Sequence, residues 1–192
     1  MVEAPTEEEV QLELGRGVSA TVMSDDFSDF TITCQGQEIK CNRLVISAML
    51  EVIKTALTTD MEEKKKNELE IPDATPDSVR GMLNFMYTGK VPANISDIVT
   101  DLLHLADKYQ LCSLKKTCEK CLLDDLTVDN TVGAIILVDR YKCSTQVRTN
   151  ILDFFKENAA KIINTKDWTT ALEESGKHVE QFTELFVTVI KK

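Results

Sequence analysis

An α+β fold, a small β-sheet flanked by a helical cluster and followed by an all-helical C-terminal segment, is what this sequence predicts. Two short runs alternate with period two: Phe30, Ile32 and Cys34 against Thr31 and Thr33, then Ile39 and Cys41 after a turn at Gln35-Gly36-Gln37. From Leu44 onward apolar residues recur at helical spacing, and beyond Asp124-Asp125 the pattern is wholly helical. Alternation sets one face of a strand against a core, whereas spacings of three and four lay a stripe along a helix.

Met1 to Asp26 is acidic at Glu3, Glu7, Glu8, Glu9 and Glu13 and carries the apolar set Val10, Leu12 and Leu14 ahead of Gly15 and Gly17, which reads as an acidic lead-in and a docking element. The two alternating runs make a β-hairpin with one buried side. Leu44, Val45, Ile46, Met49, Val52, Ile53, Ala56 and Leu57 cover a wide stripe, so one largely buried helix is expected from Leu44 to Leu57. A polar stretch from Thr58 to Asn67 leads into Glu68-Leu69-Glu70-Ile71, a third strand that Pro72-Asp73 ends. At Thr75-Pro76-Asp77 a helix starts: the threonine hydroxyl accepts from free backbone N–H groups, the proline loses no bond, and the aspartate complements the helix dipole. Val79, Met82, Leu83 and Met86 give that helix its face, and Gly89 ends it in a left-handed conformation. Further helices are expected from Asp97 to Tyr109 and near Leu114 to Leu123. Thr127 is then placed to cap Val128 to Asp139, Ser144 to cap a helix with Val147, Ile151, Phe154 and Phe155, and Val179, Phe182, Phe186, Val189 and Ile190 outline a last one.

A formal charge of −10 over 192 residues sets up a negative field that repels phosphate, which argues against nucleic-acid binding. The longest apolar run, Ala134 to Val138, is far short of the roughly 20 residues of a bilayer span, and the acidic N-terminus does not resemble a secretory leader. Six cysteines in such a chain read as reduced thiols of cytosol or nucleus. Cys118 and Cys121, with Cys112 nearby, have metal-like spacing, but a structural zinc site wants four ligands and the two histidines, His104 and His178, stand apart. Core or surface thiols are the favoured reading, with no metal or other cofactor. Neither a nucleophile elbow, a phosphate loop, a dinucleotide fingerprint nor a zinc-protease motif occurs, so the chain is expected not to be an enzyme. Lys64-Lys65-Lys66 reads as a solvated loop rather than a nuclear signal.

Phe27-Ser28-Asp29-Phe30 followed by Gln35-Gly36-Gln37-Glu38-Ile39-Lys40 resembles the opening hairpin of the BTB/POZ family. The resemblance continues in order through Asp60 to Asn67, Met82 to Lys90, Asp101 to Tyr109, Leu126 to Asn130, Asp153-Phe154-Phe155 and Trp168, and within the family it is to the speckle-type POZ members. It runs from Asp25 to Leu172. Cys41-Asn42-Arg43 stands where the family usually shows A-H-K, and Leu50-Glu51-Val52-Ile53 where it shows S-P-x-F.

The resemblance implies an acidic segment at 1–23, a BTB/POZ domain at 24–124 and a helical three-box or BACK-like region at 126–192. It implies a non-catalytic adaptor that pairs with itself, or with other BTB proteins, and binds the cullin scaffold of a cullin-RING ubiquitin ligase, in nucleus or cytoplasm, on behalf of an unidentified protein substrate. The alternative is a BTB scaffold that only dimerises, in transcriptional regulation or by sequestering full-length adaptors. Met61-Glu62-Glu63 matches the hydrophobic-x-Glu motif of cullin-binding members and, with Tyr109, makes the expected cullin contact. Asp29 and Arg43 fall where the family holds a buried charged pair near its dimer interface, the plainer reading being a surface pair; Leu12, Leu14 and Ile46 complete the expected interface. Family members carry a separate substrate reader, a MATH domain in front or kelch repeats behind, and the 24 residues before Asp25 are too few for either. In a complete chain the reader is therefore expected to be missing or supplied by a partner.

Overall fold

The computed structural model describes residues 25–50 and 67–173, with positions 6, 13, 15, 17 and 55 besides. A 3-10 turn, Asp25–Phe27, leads into strand β1 (Phe30–Cys34), which doubles back as β2 (Gln37–Cys41). The two pair antiparallel with Ile32 opposite Ile39 and Phe30 opposite Cys41, so their apolar side chains share one face and are buried together. Gln35 and Gly36 make the turn with φ of 48° and 75°. A two-residue loop follows the twist of its strands when both φ values are positive, and glycine takes such a value without steric cost. Strand β3 (Glu68–Glu70) lies parallel to β1 on its other edge, giving the order β2-β1-β3. Ile71 follows, its N–H donating to Thr33 O at 2.8 Å and its side chain fully buried.

Helix α1 (Arg43–Met49) departs from expectation. The single helix expected from Leu44 to Leu57 stops at Met49, where Leu50 takes extended backbone with φ −113° and ψ 98° while its N–H still bonds to Ile46 O. Leu50 is 1% exposed, and burying such a side chain stabilises by roughly 1.5–3 kcal/mol, more than the helical bonds given up at a frayed end.

Local signals at the next helix are met as read. Helix α2 (Pro76–Thr88) opens with Ser78 N–H donating to Thr75 Oγ1 and Thr75 N–H donating to Ser78 Oγ, and it closes on Gly89 at φ 69°. Helix α3 (Ile95–Lys108) packs on it so closely that a Cβ on Gly81 would stand 3.0 Å from Ile98 Cδ1. Glycine at position 81 is what permits that approach.

Contacts divide the chain into two compact units, Met1–Leu114 and Lys115–Lys192, within helix α4 (Cys112–Asp124). The core of the first contains Ile32, Ile46, Ile71, Val79, Met82, Leu102, Leu103 and Leu105, all fully buried. The second contains helices α5 (Thr131–Arg140), α6 (Thr145–Ile162) and α7 (Lys166–Glu173) around Val132, Ile135, Val138, Ile151, Phe155 and Trp168, with the Phe155 and Trp168 rings stacked at 6.0 Å.

Helix α5 begins at Thr131 rather than at Val128, with Asn130 and not Thr127 in the capping position. Asn130 Oδ1 accepts from Thr127 N–H at 2.8 Å and its Nδ2 donates to Asp125 O, so the amide ties residues 127–130 into a turn. The open N–H of Gly133 in the first helical turn is taken instead by Asp167 Oδ2 at 2.9 Å, reaching over from α7. Ser144 caps α6 as expected, accepting from Val147 N–H. The last helix outlined by Val179 to Ile190 lies outside the described residues. Among the described residues no helix is long and apolar enough to cross a membrane.

Candidate interaction surfaces

The start of α1 is bound to the strand side by three side chains. Asn42 sits in the capping position without capping the helix itself; Asp29 does so from just ahead of β1, its Oδ1 accepting Arg43 N–H at 2.7 Å. The Arg43 guanidinium donates to Asn67 Oδ1 at 3.3 Å. Asp29 is exposed and Arg43 half-buried in the single chain, and the contact joining them runs through the arginine's backbone N–H. Asn42, only 7% exposed, donates its backbone N–H to the Tyr87 hydroxyl at 3.1 Å and its Nδ2 to Phe27 O at 2.6 Å, which holds the 3-10 turn against the helix. Burial here pushes the Tyr87 phenol up, and burial followed by the Asp29 charge pushes the Cys41 thiol up to about 12. Neither group ionises near neutral pH.

Helix α1 presents an apolar outer side. Leu44 is 80% exposed, Met49 42% and Phe27, beside the helix start, 61%. Spacings of four place Leu44 with Ala48, and Val45 with Met49, so these side chains line neighbouring outward rows. Leu44 and Met49 are thus the exposed flank of a helix expected to be largely buried. Ile46, expected in the dimer interface, is 0% exposed within its own chain. In a helix of 7 residues apolar on both sides, only one side reaches the core. Of the remaining expected contacts, Leu12, Leu14, Met61, Glu62 and Glu63 lie outside the described residues.

Tyr109 closes α3 and is 7% exposed, its N–H bonded to Leu105 O at 2.9 Å, its phenol pushed up to about 12 by burial and by Asp73. The Lys108 ammonium lies 5.5 Å from its ring centroid and donates to both Asp73 oxygens at 2.7 Å, and His104 Nε2 meets Asp73 Oδ2 at 3.0 Å. The bonds from Lys108 and His104 hold the Asp73 carboxyl at about 2, below its ordinary value of 3.8. His104, which sequence context leaves without a role, is thus part of a charged cluster beside Tyr109. What brings Asp73 to it is the end of β3, 31 residues earlier in the chain, which no short motif could reveal.

None of the six cysteines is in a disulfide, and among the described residues no group of three or more His, Cys, Asp or Glu is arranged to hold a metal ion. Cys118 is fully buried, and its thiol is pushed up to about 12 by that burial first, then by the neighbouring Cys121 and Cys143. Cys143 is the member of this group that sequence spacing did not point to.

A three-stranded sheet packed with helices, with apolar side chains carried into water beside α1, has the build of a protein-interaction domain. The BTB/POZ domain model matches residues 20–126, more than half of the sequence, and the chain belongs to the BTB/POZ family. It is 34% identical over 148 residues to TD and POZ domain-containing protein 5 of Mus musculus; the match takes in 77% of this chain and 43% of the relative, so the chain spans less than half of that protein's length. Among solved structures it is similar to the BTB domain of human Gigaxonin, with 22% identity, a TM-score of 0.50, and coverage of 62% of this chain and 95% of the other. It is likewise similar to the BTB domain of zebrafish PATZ1, with 16% identity, a TM-score of 0.51, and coverage of 65% and 100%. These likenesses concern the fold.

Proposed function

We propose that this chain is a non-catalytic adaptor of the speckle-type POZ kind that pairs with a second copy of itself and binds a cullin scaffold. The observation that carries the pairing is the outer side of α1: Leu44 and Met49, with Phe27 near the helix start, stand in water on a domain whose family works through protein contacts. A large apolar side chain left exposed beside others marks a contact surface, and a two-fold pair would cover the same surface on both copies. Light scattering behind size exclusion should then give twice 21.5 kDa at micromolar concentration, and a monomeric mass over a hundredfold concentration range would remove the pairing.

Support for the cullin comes from the sequence. Thr58 to Asn67 is a polar stretch holding one large apolar residue, Met61, between acidic neighbours, in the hydrophobic-x-Glu pattern of cullin-binding relatives. An unbranched thioether adapts to a groove, and its burial stabilises by roughly 1.5–3 kcal/mol. Residues 126–192 would on this reading form a three-box region, which widens the surface offered to a cullin. Met61→Asp is expected to weaken binding to a cullin N-terminal domain by about tenfold or more in calorimetry, and Glu63→Lys to weaken it further by opposing charge. A double mutant that binds like the parent removes Met61 and Glu63 from the contact. No binding by the parent at tens of micromolar turns the reading to a scaffold that only dimerises.

A further inference from the structure

Lys115 and Glu119 lie one turn apart on α4, and both hold the connection between α5 and α6. The Lys115 ammonium donates to Tyr141 O, and Ser144 N–H donates to Glu119 Oε1 at 3.0 Å. Between these anchors the chain turns through Lys142, at φ 47°, and brings Cys143 back so that its N–H bonds to Val138 O at 2.9 Å. Cys143 packs on the rim of the second unit's core, a rim that also takes Leu122 and Leu123 of α4. Cys118 is on the same turn of α4 as the two anchoring residues and is fully buried. The pins on either side thus hold half-exposed Cys143 against the turn of α4 that carries the shielded Cys118, 25 positions earlier in the chain, near enough for the Cys143 thiol to act on it.

We propose that Cys118 and Cys143 form a thiol pair that closes to an intramolecular disulfide by exchange with a small-molecule disulfide such as oxidised glutathione. The half-exposed Cys143 reacts first: its thiolate attacks one sulfur of the small disulfide, forming a mixed disulfide and releasing one small thiolate, which takes up a proton. The Cys118 thiolate then attacks Cys143 Sγ, forming the Cys118–Cys143 bond and releasing the second small thiol. Two electrons pass to the small disulfide and two protons accompany them. The raised thiol makes the closing step slow at neutral pH and faster by roughly tenfold per pH unit while pH stays below its pKa. The bond ties the middle of α4 to the α5–α6 connection.

The test uses the full chain with Cys112→Ser, which removes a surface thiol that would link separate molecules, incubated with oxidised glutathione, alkylated and mapped by peptide mass spectrometry. Expected are a mass loss of about 2 Da with no glutathione retained, a cross-linked peptide pair containing Cys118 and Cys143, faster closure at pH 9 than at pH 8, and a melting temperature raised by several degrees that a reductant reverses. Cys118→Ser should instead keep glutathione on Cys143. Should that variant fail to fold, Cys143→Ser, at a half-exposed position, carries the test by losing the cross-link. Glutathione lasting on Cys143 of the parent, closure through Cys121, or no reaction at Cys143 each overturns the proposal.

Discussion

Ile46 and Leu44 are two residues apart on one short helix, and the structure assigns them opposite fates, so a paired substitution tests both the fold and the contact surface. Ile46→Ala removes three carbon atoms from a fully buried side chain. At about 0.8 kcal/mol per methylene the transfer loss is roughly 2.4 kcal/mol, and the cavity left behind brings the expected cost to about 2–5 kcal/mol. Near 3 kcal/mol, the melting temperature should fall by roughly 10–20 °C, a little over 100 residues sharing the affected core. Leu44→Asp alters a side chain 80% exposed, so the folding of one chain should change by no more than about 0.5 kcal/mol. If α1 is where two copies meet, the same change places a charge in the contact twice, and loss of even half the roughly 1.5–3 kcal/mol per leucine weakens pairing by tenfold or more. Urea unfolding measures the first quantity and sedimentation velocity over a concentration series the second, with protein concentration held equal because pairing itself stabilises the folded chain. An Ile46→Ala variant as stable as the parent would refute the inward placement of that side chain. A Leu44→Asp variant that still pairs like the parent would move the contact elsewhere.

Other consequences can be measured on the same protein. Asp73, held at about 2 against 3.8, adds stability that is present above its unfolded value and is lost as pH falls from about 4 towards 2; Asp73→Asn should remove that part of the acid unfolding limb. The effect should stay below about 1 kcal/mol because the side chain is 42% exposed and solvent screens it, and an unchanged acid limb would show the cluster to be without weight. Gly81→Ala sets a helix-propensity gain of about 1 kcal/mol against a Cβ only 3.0 Å from Ile98 Cδ1, so thermal unfolding should show little or none of that gain; a full gain of about 1 kcal/mol would show that the Ile98 side chain yields freely. Asp167→Ala should cost about 1 kcal/mol by leaving Gly133 N–H without its acceptor, with Asp167→Asn recovering part of the loss.

The hairpin and α2 were legible because their signals are local. Period-two alternation fixes which side of β1 and β2 is buried, and Thr75, Pro76 and Gly89 each act on backbone within four residues of themselves. At the start of α5 a local signal is overridden by a neighbouring turn. Thr127 is a sound cap by residue type, but the Asn130 amide bonds both Thr127 N–H and Asp125 O, holds residues 127–130 in a turn and so delays the helix to Thr131. Leu50 stands for a different limit: helical spacing continues through it, yet its burial is a tertiary fact that overrides the periodicity.

The candidate surfaces were harder to read for the same physical reason. A stripe containing Leu44, Val45, Ile46 and Met49 says that α1 is apolar but not which arc meets the core; packing turns Ile46 inward and leaves Leu44 in water. Asp29 was placed near Arg43 by resemblance, whereas its bond to the arginine's backbone N–H depends on how β1 meets α1 and is set by no spacing. The cysteines follow this logic furthest. Cys118 and Cys121 are visible as a pair because they are three residues apart, but Cys143, which also raises the Cys118 thiol, belongs to a connection anchored by Lys115 and Glu119, two residues with no cysteine-like signature at all. Neighbours in sequence can be read from a pattern; neighbours made by a pinned loop appear only once the side chains that pin it are in place.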